Sequence, residues 1–94
     1  AKTYSYSVTI LADNDCPGVT IKLVETDDPD GTKHDGNCFF DDRHAVAAGE
    51  EFVYTVTGAQ LRQGDAHALS MFFDFGGTPA GTNVQIKKIT FIEE

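Results

Sequence analysis

The chain alternates between apolar and polar residues along most of its length. In "TYSYSVTIL" Tyr4, Tyr6, Val8 and Ile10 interleave with Ser5, Ser7 and Thr9, the period of two that a strand with one buried face requires. "GVTIKLVE" repeats it, with Val19, Ile21 and Leu23 on one face and Thr20 and Lys22 on the other. "EEFVYTVTG" sets Phe52, Tyr54 and Val56 against Val53, Thr55 and Thr57, and "HALSMFFDFGG" sets Leu69, Met71, Phe73 and Phe75 against Ser70, Phe72 and Asp74. Helical spacing is nearly absent. Strands with one apolar face must bury it against another layer, so the pattern predicts an all-β fold, an antiparallel two-sheet β-sandwich.

The last apolar stretch, "TNVQIKKITFIEE", breaks phase. Val84 and Ile86 share a face, but the next large apolar pair is Ile89 and Phe91, so one extra residue near Lys87 and Lys88 predicts a β-bulge. The clusters "DNDCPG", "RQGD" and "GGTPAG" supply the glycine, proline, asparagine and aspartate that reverse a chain. The short connections predict that the last three strands form an antiparallel meander. Between Glu25 and Glu50 a long loop is expected, with a short strand near "NCFF" or "HAVAA".

At 94 residues, 40% of them hydrophobic and 23% charged, the whole chain (1–94) reads as one domain with one core. No apolar run reaches the ~18 residues of a membrane helix. With no charged-then-apolar leader ahead of the first strand, the expectation is either a mature or excised domain or a sequence that does not itself encode export. The net charge of −8 repels nucleic acid and anionic membranes, leaving neutral molecules, cations or a basic protein as partners.

The acid is concentrated in "ETDDPDGTKHDGNCFFDD", which holds seven carboxylates. "DDPDGT" offers closely spaced hard oxygens and a glycine for a sharp turn, so Asp27, Asp28 and Asp30 are candidate ligands for a structural calcium; a hydrated acidic turn is the competing reading. Cys16, His34, Cys38 and His44 lack the compact paired spacing of a structural zinc site. Cys16 and Cys38 could form a disulfide or stay as two buried thiols. There is no GxSxG, and Ser5, Ser7 and Ser70 all lie in alternating strands. Paired carboxylates could hydrolyse a glycoside, but a small sandwich has little room for the deep cleft a general acid needs, so no enzymatic activity is expected.

The segment "LSMFFDFGGTPAGTNVQIKKITFIEE" resembles the closing strands of bacterial β-sandwich carbohydrate-binding modules, the non-catalytic domains appended to cellulases and xylanases. The features are an aromatic strand ending in Phe-Asp-Phe-Gly-Gly, a turn with Ala80, Gly81 and Thr82, and a Val-x-Ile-x-x-Ile strand. "KTYSYSVTILAD" is similar to an early strand of such modules. The chain departs from them in lacking tryptophan and the modules' opening strands, and in carrying Lys87 and Lys88 where several have an Asp-Asp pair beside calcium.

The resemblance implies a short jelly-roll-like module that tethers a secreted glycoside hydrolase to plant cell-wall β-glucan (cellulose, mixed-linkage glucan, xyloglucan) or xylan. Its partners would be the neutral polysaccharide and the catalytic domain of the parent enzyme, with no nucleic acid, no membrane and no self-association. The exported setting also implies a Cys16–Cys38 disulfide. A sugar site needs a ring for C–H faces and polar groups for hydroxyls. Phe72 with Lys22, Asp74 and Gln85 is the expected site, and Phe39 and Phe40, one inward and one exposed, are the second choice. The alternative function is an immunoglobulin-like structural or adhesion domain that binds protein.

Overall fold

The computed structural model describes residues 2–26, 37–61 and 68–94. Its elements are β1 (Lys2–Ala12), β2 (Cys16–Thr26), β3 (Cys38–Phe39), β4 (His44–Val46), β5 (Phe52–Leu61), β6 (Ala68–Asp74) and β7 (Val84–Glu93), all antiparallel where paired. One sheet has the order β5-β1-β7. In the other, β2 is central. Val24 pairs with Cys38 on one side and Ser70 on the other, so β3 and β4 share one edge of β2 and β6 takes the opposite edge.

The two sheets meet through the alternating positions. Tyr6, Val8 and Ile10 of β1, Val19, Ile21 and Leu23 of β2, and Tyr54 and Val56 of β5 are buried in one cluster. Full burial of such a side chain stabilises the fold by ~1.5–3 kcal/mol, so these faces account for the sandwich-like pairing of the sheets. Thr20 is also buried although it lies on the outer row of β2.

Two bulges rephase the strands of the β5-β1-β7 sheet, and a further register shift lies between Cys16 and Val19 where β2 pairs with β4. Lys87 is the extra residue between the pairs Thr9–Lys88 and Ile10–Ile86, where the sequence predicts the slip. In β5 the shift lies between Tyr4–Ala59 and Tyr6–Val56, at Gly58 with φ of 73°. That left-handed conformation suits glycine. The strand runs on to Leu61, and the extra residue turns Ala59 and Leu61 back into the core.

Two expectations are corrected here. The last three strands are not a meander: β5 and β7 flank β1 while β6 pairs with β2 in the facing sheet. Short turns permit a crossing to the other sheet as readily as a hairpin. Nor are Cys16 and Cys38 joined; both are free thiols. Cys38 lies opposite Val24, eight residues along β2 from Cys16, or roughly 25 Å at ~3.3 Å per residue. A disulfide needs Cα atoms within ~7 Å. Buried Cys16 instead donates to the carbonyl of Asn14 at 3.6 Å.

Candidate functional site

The outer face of the β2 sheet gathers most of the expected sugar-binding side chains. Lys22 and Phe72 are cross-strand partners, and so are Thr20 and Asp74, two residues along the same face. On the other side of β2 the chain leaves the ladder between β3 and β4, which carries Phe40 outward. Its ring, 55% exposed, sits 5.2 Å from the Lys22 ammonium. Lys22 thus lies between Phe40 and its cross-strand partner Phe72, with its ammonium over the Phe40 ring.

Beside this row Arg43 spans β2. Its guanidinium donates to the carbonyl of Gly18 at 3.2 Å and to Asp74 Oδ2 at 3.1 Å. A side chain at position 18 would collide with the Cγ and Cδ of Arg43, so glycine there lets the arginine lie flat. Asp74 Oδ1 accepts from the N–H of Gly76 at 2.9 Å. That backbone bond, and next the Arg43 charge, hold the Asp74 carboxyl below its usual range, so it is an acceptor at neutral pH. Two rings, an ammonium, a guanidinium and a carboxylate offer C–H stacking surface and charged hydrogen-bonding groups in one place.

Gln85 does not belong to this face. It lies on β7 of the opposite sheet, paired with Leu11 of β1, because β6 and β7 lie in different sheets. There it lines an end cleft of ≈ 400 Å³ with Leu11, Ala12, Asp13, Gly49 and Asn83. Asp13 accepts from the backbone and side-chain N–H groups of Asn83 at 2.8 and 2.9 Å, which lowers its pKa. The hydroxyl row of Ser7, Thr55 and Thr90 also lies on that sheet, away from Lys22.

Phe39 and Phe40 divide as their adjacency predicts. Phe39 packs against the core and its carbonyl accepts from the Tyr6 hydroxyl at 2.9 Å, whereas Phe40 faces out. Arg43 is the residue that sequence reasoning misses, since its place depends on how residues 38–46 run along β2. Asp27, Asp28, Asp30 and His34 lie outside the described residues, and no cluster of three potential metal ligands occurs among the described ones. No family model matches the chain, and no curated protein or solved structure shows significant similarity to it.

Proposed function

We propose that this domain binds a neutral β-linked polysaccharide, plant cell-wall β-glucan or xylan, without cleaving it. The observation that carries the reading is the row Phe40–Lys22–Phe72 beside the Arg43–Asp74 pair. Rings take the apolar faces of the sugars while the flanking charged groups reach their hydroxyls. In a secreted bacterial hydrolase such a domain raises the local concentration of the catalytic domain on its substrate by tethering. Under this reading the two sheets are a short form of a jelly-roll-like module. Binding of the purified domain to a panel of insoluble and soluble glucans, xylans and mannans is the test. Retention on none of them overturns the reading, and release of reducing sugar overturns its non-catalytic part.

A structural calcium at Asp27, Asp28 and Asp30 belongs to the same proposal. Saturating calcium would then raise the melting temperature relative to excess chelator at constant ionic strength, and coincident curves remove the ion. The second reading, an immunoglobulin-like domain that binds protein, is favoured by one feature: the exposed Ile86, Ile89, Phe91 and Ile92 on β7.

A further inference from the structure

The apolar residues of β7 split between its two faces. Ile86, Ile89 and Phe91 pair with Ile10, Val8 and Tyr6, which are buried and point into the core. The β7 residues share that side yet are 48%, 53% and 41% exposed. On the outer face Ile92 is 55% exposed. Among the described residues β7 pairs with β1 alone, so no described strand covers its other edge.

Edges of this kind are usually blunted by lysine, bulges or proline. Here the lysines and the bulge are confined to Lys87 and Lys88. The run "ITFI" that follows has neither device. We propose that β7 is a self-association edge, on which a second copy of this chain adds its own β7 antiparallel about a two-fold axis at Thr90.

The register follows from two constraints. In antiparallel pairing, facing residues share a face, so a two-fold axis normal to the sheet must match core-side positions with core-side positions. Centring on Ile89 would set Lys87 against Phe91, and centring on Phe91 would set Ile89 against Glu93. Centring on Thr90 sets Ile89 against Phe91 of the second copy, twice, and Lys87 against Glu93. Ile89 then meets Phe91, and Lys87 meets Glu93 beside the Lys87–Glu51 and Lys2–Glu93 ion pairs within each copy, while Lys88 faces Ile92 and Ile86 faces Glu94. The β5-β1-β7 sheet becomes continuous over six strands. This arrangement replaces the monomer expected from the sequence and does not depend on the glycan reading.

The test is sedimentation equilibrium of the intact chain from micromolar to millimolar concentration, with four variants checked for folding by circular dichroism. The wild type is expected to dimerise. Ile89→Lys should weaken the dimer by about tenfold or more, since each contact occurs twice across the axis. Lys87→Glu and Glu93→Lys should each weaken it, and the double variant should regain affinity. Each charge variant also reverses an exposed ion pair within the chain, Lys87–Glu51 or Lys2–Glu93. The regain in the double variant, which leaves both of those pairs reversed, is therefore the readout of register even where Ile89→Lys lowers the melting temperature. A wild type that stays monomeric overturns the proposal, including one that takes up an unrelated apolar strand peptide instead. So does a dimer that ignores Ile89→Lys, or whose double charge variant is no tighter than the singles.

Discussion

The Tyr54 hydroxyl makes two 2.7 Å hydrogen bonds to one residue of the facing sheet, accepting from the N–H of Asp41 and donating to its carbonyl. Asp41 lies where the chain leaves the ladder between β3 and β4, so a side chain from β5 replaces the missing strand partner. Tyr6 of β1 acts alongside it. Its hydroxyl proton is shared between the carbonyls of Ile21 and Phe39, at 2.8 and 2.9 Å. The two phenols pin the interrupted edge from which Phe40 projects.

Removing either hydroxyl should therefore have unequal effects. Tyr6→Phe leaves the Ile21 carbonyl short of a partner in a buried site, so it should cost about 2 kcal/mol. Tyr54→Phe frees groups on the exposed Asp41, where water substitutes, and should cost about 1 kcal/mol or less. Chemical denaturation of both variants checks the order.

Alkali should act through the same two residues. Burial, above all, raises the pKa of both Tyr6 and Tyr54. A phenol whose folded pKa exceeds its unfolded value of about 10 adds stability that is fully present below that pH. It is lost as pH rises towards the folded value. Stability measured against urea should fall as pH climbs beyond about 10, and more gently in Tyr6→Phe, which has one fewer phenol to ionise.

On the outer face, Phe40→Ala and Phe72→Ala should each weaken binding to a glycan retained by the wild type about tenfold, the loss of ~1.4 kcal/mol of ring contact. Gln85→Ala should leave it unchanged, because Gln85 lies on the other sheet. Isothermal titration calorimetry separates the outcomes. Weakening by Gln85→Ala alone would move the site to the end cleft.

The cysteines should differ in reactivity. Cys38 is exposed and Cys16 buried, so a maleimide should label one thiol in the folded protein and two in denaturant. Intact mass after labelling counts them. No labelling before reduction would restore the disulfide.

Local alternation determined a good deal by itself. Whether a strand has one buried face depends on side chains two apart, so Tyr6, Val8, Ile10, Val19, Ile21 and Leu23 were legible as core. A break in that alternation is equally local, and the slip at Lys87 could be read directly. So could the division between Phe39 and Phe40, since neighbouring strand residues point opposite ways. Which strands pair was decided only in the tertiary structure. A turn such as "GGTPAG" reverses the chain without choosing a sheet, and β6 and β7 part there. That one choice sent Gln85 to the far side of the molecule, while the register of β3 on β2 separately left Cys16 and Cys38 at opposite ends of β2. It also brought Arg43 over Gly18 to Asp74, a contact between residues 31 positions apart. Such contacts arise from the packing of whole faces, and no local spacing encodes them.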